Sequence, residues 1–252
     1  MKGIDVSSYQ SPDLTNLIAI YEPEVVVVKL YLPVENISQT HTIAQVRSAL
    51  LNGCKVSGYA WAYGSVSAEK TVAWAATLAD YAGASIRGEF PAARLWLDFE
   101  DKDNPPDAMW LVQAINKAQD LGVSLGIYTG YYWWRNHIGL VDFSFLPLWL
   151  ADYDGDTTLT SNYLPFGGWT SLMGKQWSGS PIDQNTFEDT MARTPEQQRI
   201  IDVLRVNTNS RLEQLKAAAS WYGYDKFSGE INTAITEVNG EVDKLETMWP
   251  NA

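Results

Sequence analysis

The sequence predicts an α/β fold, namely an irregular, TIM-like (β/α)5(β)3 barrel with a C-terminal α-helical appendage. Three observations predict this architecture. Short apolar runs rich in Val, Ile, Leu and Trp recur before residue 190, helical stretches separate the early runs, and the final connection is too short to hold a helix. Alternation of strand and helix is typical of a parallel sheet.

The apolar runs define eight candidate strands, near residues 3–7, 25–31, 56–62, 94–99, 124–129, 147–151, 174–178 and 182–184. Helices are predicted at 42–53, 68–83 and 106–121. Each helical stretch ends at or is followed by a glycine in the position of a C-terminal cap, at Gly53, Gly83 and Gly122. The first five strands are therefore interpreted as βα units.

The last connection, from Trp177 to Asp183, contains Ser-Gly-Ser-Pro. Parallel strands need a dozen or more linking residues, so a hairpin is predicted here instead of a crossover helix. The barrel should then have fewer than eight helices and a wall built partly from antiparallel strands. Such a wall leaves a groove-like mouth that could take a polymer.

The residues after Asp189 differ in character from the predicted barrel. Thr194-Pro195-Glu196-Gln197 has the features of a helix start, with an N-cap threonine and a proline in the first turn. Apolar residues then recur at spacings of three and four on both sides of an aromatic loop at 221–229. We expect a barrel domain over 1–190 and a tail over 194–252 that forms either a helical hairpin or a coiled coil joining a homo-oligomer.

Composition argues against several classes of partner. The formal net charge of -12 disfavours nucleic acid and anionic lipid, and no apolar run is long enough to cross a bilayer, so membrane insertion is not expected. His41 and His137 lack Cys or Asp partners at ligand spacing, so no metal site is predicted. The chain has no nucleophile elbow, Walker loop or dinucleotide fingerprint, so no cofactor is expected either.

Asp98 and Glu100 are the strongest chemical signal in the chain. They end the apolar run Leu-Trp-Leu-Asp-Phe-Glu, and alternate residues of a strand share one face roughly 6–7 Å apart. Each carboxylate then lies in the field of the other, which favours one protonated and one ionised group. Cleavage of a glycosidic bond needs that combination.

Other carboxylates and aromatic residues also stand at the ends of apolar runs, where a parallel barrel collects its functional groups. The segments concerned are Gly3–Gln10, Leu95–Glu100, Gly126–Thr129, Leu148–Tyr153, Gln176-Trp177 and Ile182–Asn185. In this order they resemble glycoside hydrolase family 25, the N-acetylmuramidases of bacteria and of bacteriophage endolysins. The resemblance covers residues 1 to about 190 and implies a barrel of eight strands and five helices. Tyr59–Tyr63 and Lys29–Pro33 depart from the family pattern.

The resemblance implies hydrolysis of the β-1,4 bond between N-acetylmuramic acid and N-acetylglucosamine in bacterial peptidoglycan. It makes Glu100 the general acid and base and puts Asp98, Asp5 and Asp183 around it. Asp98 would either stabilise the oxocarbenium-like centre or orient the 2-acetamido group of the substrate. The candidates to stack on sugar rings or to bind the acetamido carbonyl are Tyr63, Tyr128, Trp149, Tyr153 and Trp177.

Two other functions fit the sequence less well. A non-catalytic glycan-binding module or phage structural component has no need for four carboxylates in one site, and a chitinase pattern fails because Trp96 stands where that pattern has its first aspartate. No secretory leader precedes the first strand. We therefore expect a phage endolysin that is made in the host cytoplasm and acts on the cell wall after release.

Overall fold

A computed structural model of the chain describes residues 1–160, 163–189 and Thr236. The chain divides into two units, Met1–Asp189 and Thr190–Ala252. The predicted tail at 194–252 lies outside the described residues except for Thr236, so its hairpin or coiled-coil form stays a prediction.

The first unit is built on a closed barrel of eight strands in sequence order. Strands β1 to β7 pair in parallel, and β8 pairs antiparallel with both β7 and β1. The predicted hairpin is therefore confirmed, and among the described strands β8 alone supplies the antiparallel part of the wall. The strands are β1 Lys2–Val6, β2 Val25–Lys29, β3 Lys55–Trp61, β4 Leu95–Phe99, β5 Leu125–Gly130, β6 Leu148–Ala151, β7 Gly174–Ser178 and β8 Asp183–Phe187.

The described residues form five α-helices, one after each of the first five strands: α1 Thr15–Tyr21, α2 Gln39–Leu51, α3 Ala68–Ala82, α4 Ala108–Asp120 and α5 Tyr131–His137. The three helices predicted from sequence correspond to α2, α3 and α4. Local signals explain two of these, because Ser67 and Asp107 cap α3 and α4 by accepting hydrogen bonds from backbone N–H groups. No described helix is both long enough and apolar enough to span a membrane.

The (β/α)5 pattern predicts a helix after β1 and after β5, but the sequence gives no residue ranges for α1 and α5. Each has only seven residues, which is too short to display an apolar period, and neither has a side-chain cap at its start. Helix α5 also reads Tyr-Tyr-Trp-Trp, and aromatic residues are weak helix formers. Tertiary packing decides its structure, because Trp133 and Trp134 are buried.

Below the carboxylates the barrel interior is filled by an aromatic layer, defined here as Trp96, Trp149 and Phe187, and Trp149 also borders the carboxylates. Their ring centroids lie 5.4 to 6.1 Å apart, and all three side chains are almost fully buried. Glycines on neighbouring strands make the room for these rings. A Cβ atom at Gly126 would lie closer than 3.0 Å to the ring of Trp96, and one at Gly174 would meet Phe187 in the same way. The layer fills the barrel below the carboxylates, which lie towards the end where the parallel strands finish.

Candidate active site

Successive side chains of β4 point alternately to the outer core and to the interior of the barrel. Leu95, Leu97 and Phe99 belong to the apolar core between the strands and the helices, while Trp96 belongs to the cluster inside the barrel. Asp98 shares the inward face with Trp96 and is 3% exposed. Glu100 follows the strand by one residue and is less buried. The same alternation that builds the wall thus delivers both carboxylates to the mouth.

All four predicted carboxylates line one cavity of about 140 Å³. Asp5 and Asp183 are direct register partners on the antiparallel pair β1 and β8, opposite the strand that carries Asp98. Residues distant in sequence are therefore brought together around one space. The cavity is lined by Asp5, Tyr59, Trp61, Asp98, Glu100, Tyr128, Trp149, Tyr153, Gln176 and Asp183.

Asp5 is held by two amide side chains. Its Oδ2 accepts hydrogen bonds from Gln176 Nε2 at 2.6 Å and from Asn185 Nδ2 at 2.8 Å. Burial and the charge of Asp183 nevertheless raise the pKa of Asp5 to about 7, although the two amide donors oppose that rise. The carboxyl group is fixed in place and titrates near neutral pH.

The orientation of both amides follows from a second set of hydrogen bonds. Gln176 Oε1 accepts from the phenol groups of Tyr128 and Tyr153, each at 2.6 Å, so its amide nitrogen must face Asp5. Asn185 Oδ1 accepts from Trp149 Nε1 at 2.9 Å, which fixes its nitrogen in the same way. This network makes Asp5 the acceptor for two oriented donors.

Asp98 has a different environment. Its Oδ1 is buried and has no hydrogen-bond partner among the described residues. Burial and the neighbouring charge of Glu100 raise the pKa of Asp98 well above its usual range, while the Lys29 ammonium group acts in the opposite direction. An unpartnered buried carboxyl oxygen is costly, and it belongs to a residue that lines the cavity.

Glu100 and Asp183 are partly exposed and also line the cavity, whereas Asp5 and Asp98 are buried. Burial is the main cause that raises the pKa of Glu100 to about 7, with a contribution from Asp183, and Lys102 opposes the rise. Burial also raises the pKa of Asp183 to about 6. Near neutral pH such a cluster holds protons and negative charge at the same time, as general acid catalysis requires.

The predicted aromatic residues divide into two groups. Tyr128, Trp149 and Tyr153 line the cavity, and Tyr153 is 58% exposed at its rim. The Tyr63 hydroxyl instead donates to Glu35 at 3.2 Å. Tyr63 and Trp177 do not line this cavity, so their role in sugar binding stays a prediction.

Sequence reasoning assigned no role to Gln176, Asn185, Tyr59 or Trp61, although the first two stood inside quoted motifs. A usable signal was present: Gln176 and Asn185 are polar residues at buried strand positions, where an amide needs an internal partner. Nothing in the local pattern distinguishes Trp61 from a core residue. Among the described residues, no group of His, Cys, Asp and Glu side chains has the geometry to hold a metal ion.

A closed barrel of mainly parallel strands with a cluster of carboxylates at its mouth is typical of a glycoside hydrolase with a TIM-like fold. The family model described as "Lysozyme-like protein 1" matches residues 1–177. The chain belongs to this family, and its assignment to the family 25 lysozymes from sequence is confirmed.

A curated relative, "Lysozyme-like protein 5" of Caenorhabditis elegans, is 36% identical over 105 residues, which cover 36% of this chain and 48% of the relative. The chain spans about half or less of the length of this relative and of a matched Dictyostelium discoideum protein. Among solved structures, a muramidase from Trichobolus zukalii is 22% identical with a TM-score of 0.57, and the match covers 75% of this chain and 94% of that one. The Cpl-1 endolysin, solved with a peptidoglycan analogue, is 21% identical with a TM-score of 0.53, over 75% of this chain and 55% of that one. These structural matches establish the predicted fold.

Proposed function

We propose that the barrel hydrolyses the β-1,4 bond between N-acetylmuramic acid and N-acetylglucosamine in bacterial peptidoglycan. The observation that carries this proposal is the convergence of Asp5, Asp98, Glu100 and Asp183 on one small cavity, with Glu100 at its rim, where it also meets solvent. Membership of a lysozyme-like family supports the substrate class. The peptidoglycan analogue bound to the Cpl-1 endolysin supports it as well.

In the proposed first step, protonated Glu100 gives its proton to the glycosidic oxygen as the bond from C1 to that oxygen breaks. The carbonyl oxygen of the 2-acetamido group forms a bond to C1 from the other face, giving an oxazolinium intermediate. The unpartnered Oδ1 of Asp98 is suited to accept the acetamido N–H and so orient that group. The positive charge that develops at C1 in the transition state favours the ionised form of Asp98. This carboxylate therefore stabilises the transition state more than it stabilises the ground state.

In the second step, Glu100 removes a proton from a water molecule while the water oxygen attacks C1. The oxazolinium ring opens to restore the acetamido group, Glu100 regains its proton, and the configuration at C1 is retained. Asp5 and Asp183 contribute negative potential near C1, and the two amide donors hold Asp5 in position throughout.

The biological setting is a further part of the proposal. A phage endolysin made in the host cytoplasm and released to the wall would use this reaction to free progeny, and Cpl-1 is a structural neighbour of that kind. The curated relatives include a lysozyme-like protein of Caenorhabditis elegans and a probable GH family 25 lysozyme of Dictyostelium discoideum, which support the reaction and not the phage setting. Location of the protein during infection of a bacterial host, by fractionation before and after lysis, tests the endolysin setting separately from the reaction.

The decisive test of the reaction is identification of the new reducing end. Purified peptidoglycan is digested with the full chain, reduced with borohydride and analysed by mass spectrometry. We expect muramitol at the new ends, whereas glucosaminitol would indicate a glucosaminidase and would contradict the proposal. Binding to the wall without any new reducing ends would instead favour the non-catalytic glycan-binding module or phage structural component.

A further inference from the structure

The positive charge that acts on Asp98 comes from behind the wall of the carboxylate cavity. The described residues that line the cavity are four carboxylic acids, five aromatic residues and Gln176, so none of them is a cation. Burial is the main cause that raises the pKa of Asp98, and the Lys29 ammonium group opposes that rise. Lys29 ends strand β2 on the same face as Val25 and Val27, which belong to the cluster inside the barrel.

The ammonium group of Lys29 is held by a carboxylate and two aromatic rings. Its Nζ lies 2.9 Å from Glu35 Oε1, and the side chains of Lys29 and Glu35 are only 13% and 5% exposed. The same Nζ lies 4.9 Å from the ring centroid of Tyr31 and 5.0 Å from that of Trp61. Burial strengthens both kinds of contact, because water screens them less than it screens an exposed pair. The charge of Lys29 therefore has a defined place in the barrel wall.

Trp61 connects Lys29 to the cavity. Its side chain lines the cavity, and it is the register partner of Asp98 on the parallel pair β3 and β4. The Lys29 ammonium group lies over the Trp61 ring. The interaction between the ammonium group and the Asp98 carboxyl group is therefore short in range and weakly screened by solvent.

Glu35 is fixed in the same wall and acts on Asp98 in the opposite sense. Its Oε2 accepts a hydrogen bond from the Leu32 backbone N–H at 2.6 Å, and its Oε1 accepts one from the Tyr63 hydroxyl at 3.2 Å. Burial is the main cause that raises the pKa of Asp98, and the negative charge of Glu35 adds a smaller rise. Lys29 acts on Asp98 more strongly than Glu35 does.

The other titratable groups that face Asp98 are acids and phenols. They are Asp5 on β1, Tyr59 on β3, Tyr63 after β3, Glu100 after β4 and Tyr128 on β5, with Tyr153 and Asp183 further along the cavity wall. Asp98 and Glu100 thus compete for protons in negative surroundings, and burial favours a proton on Asp98. The proposed reaction needs the reverse, a proton on Glu100 and a negative charge on Asp98.

We propose that Lys29 is a positioning residue that acts through Asp98: its ammonium group keeps Asp98 ionised, so that the proton needed for catalysis stays on Glu100. Glu35 limits this effect by neutralising part of the Lys29 charge. The segment Lys29–Pro33 departs from the family pattern, and the resemblance assigns no role to it. The inference rests on the proposed function for the identity of the acid, whereas the action of Lys29 on Asp98 can be measured without it.

The test compares Lys29→Met with Glu35→Gln, which remove opposite charges from one ion pair. The pH profile of kcat/KM is measured on a soluble glycan of repeated N-acetylglucosamine and N-acetylmuramic acid. In Lys29→Met we expect the profile to move to higher pH by about 0.5 to 1.5 pH units and its maximum to fall about 3- to 30-fold, because Asp98 holds a proton more readily. In Glu35→Gln, whose amide oxygen can still accept from Lys29 and Tyr63, the profile should move to lower pH.

Three further variants separate this role from a merely structural one. Lys29→Arg keeps the charge and should return the profile to that of the wild type. Arg87→Met is the matched control, because it also removes the cation of an ion pair, with Asp80, but Arg87 does not line the cavity and the profile should not move. Lys29→Met combined with Glu35→Gln leaves no unpaired charge in the wall, so it serves if Lys29→Met does not fold; its profile should still lie at higher pH than that of the wild type.

Loss of activity without any movement of the profile in Lys29→Met would overturn the inference. Movement in the same direction in Lys29→Met and Glu35→Gln would overturn it as well, because opposite charges must act on Asp98 in opposite ways.

A second readout does not need activity and so separates this inference from the proposed function. The side-chain carboxyl carbon of Asp98 is followed by carbon-13 NMR across a pH series, and its signal is assigned by its loss in Asp98→Asn. Asp98 should release its proton at higher pH in Lys29→Met and at lower pH in Glu35→Gln than in the wild type. These movements in a protein that cleaves no glycan would contradict the proposed function and support the action of Lys29 on Asp98, whereas an unmoved titration would overturn the inference.

Discussion

The two ends of the barrel interior differ in chemistry although the same strands build both. On β4, Trp96 belongs to the aromatic layer and Asp98, two residues later, belongs to the carboxylate cavity. On β8 the order is reversed, because the strand runs the other way: Asp183 lies at the mouth and Phe187 in the layer. Two residues on β4 and four on β8 therefore separate the packed layer from the carboxylate cavity.

The two ends also differ in what they contribute to stability. The aromatic layer removes large apolar surfaces from water and has few polar groups to satisfy. The mouth holds four carboxyl groups, three of which have pKa values raised to about 6 or 7, while burial and the charge of Glu100 raise the pKa of Asp98 well above its usual range. A raised carboxyl pKa means that ionisation destabilises the folded state. The aromatic layer therefore stabilises the fold, whereas the carboxyl groups of the mouth lower its stability when they are ionised.

The largest expected effect is on catalysis at the mouth. Glu100→Gln removes the proton donor but keeps the shape of the side chain, so the rate of reducing-end release should fall by about 10²- to 10⁴-fold. The free energy of unfolding should change little or rise, because a mutually repelling acid is removed. Both quantities are measured on purified protein, by a reducing-sugar assay and by urea denaturation.

Glu69→Gln, in the exposed first turn of α3, is the control and should match the wild type in both assays. Full activity in a folded Glu100→Gln protein would contradict the assignment of the acid and would place the chemistry elsewhere in the barrel.

The next effect is the dependence of stability on pH. The pKa of Asp5 is about 7 in the folded protein, against 3.8 for an ordinary aspartate, so between these values the unfolded chain releases a proton that the folded chain keeps. The contribution of Asp5 to the free energy of unfolding is therefore fully present below pH 4 and is lost as pH rises through 7. In Asp5→Asn the amide oxygen can still accept from Gln176 and Asn185, while the titration is gone.

We expect the free energy of unfolding of Asp5→Asn to exceed that of the wild type at pH 8, by about 2–4 kcal/mol, and to differ little at pH 4. Urea denaturation at a series of pH values measures this difference. A difference that does not grow with pH would show that the mouth carries no electrostatic strain from Asp5.

A smaller effect is expected in the aromatic layer. Gly126→Ala places a methyl group against the ring of Trp96, and such overpacking costs about 1–3 kcal/mol. Gly130→Ala, on the same strand and the same face, is the matched control, since its nearest neighbour would be the Ala151 carbonyl oxygen at 3.9 Å. Thermal and urea unfolding should separate the two variants, with Gly126→Ala less stable. Equal stability of the two would mean that the layer is loosely packed.

Much of this architecture could be predicted because each strand is marked in the sequence by its own short apolar run. The eight apolar runs and the short link after Trp177 indicated the barrel and its irregular closure. The alternation in β4 indicated that Asp98 and Glu100 share a site. Their convergence with Asp5 and Asp183 needed a closed sheet, and it was suggested by the positions of these residues at the ends of apolar runs together with the family resemblance.

The remainder depends on contacts that no local pattern records. Gln176 matters because it joins Asp5 to Tyr128 and Tyr153, residues more than twenty positions away in sequence. Helix α5 forms because its tryptophans are buried against the barrel, against the weak propensity of its residues. Both features are set by tertiary structure, which explains why sequence reasoning missed them.

The smallest expected effect sharpens the comparison within the mouth itself. Tyr153 and Tyr128 donate to the same oxygen of Gln176, but Tyr153 is 58% exposed and Tyr128 is 5% exposed. Tyr153→Phe leaves Gln176 with one phenol donor and loses a hydroxyl group that water can replace. The free energy of unfolding should change by less than about 0.5 kcal/mol, against about 1 kcal/mol for the buried Tyr128→Phe.

Activity should fall about 2- to 5-fold in Tyr153→Phe because Gln176 orients Asp5 less firmly, a change of the size of one weakened hydrogen bond. If Tyr153→Phe lowered the free energy of unfolding as much as Tyr128→Phe, the exposed Tyr153 would contribute as much to stability as a buried residue. Exposure would then not separate the rim of the mouth from the packed interior.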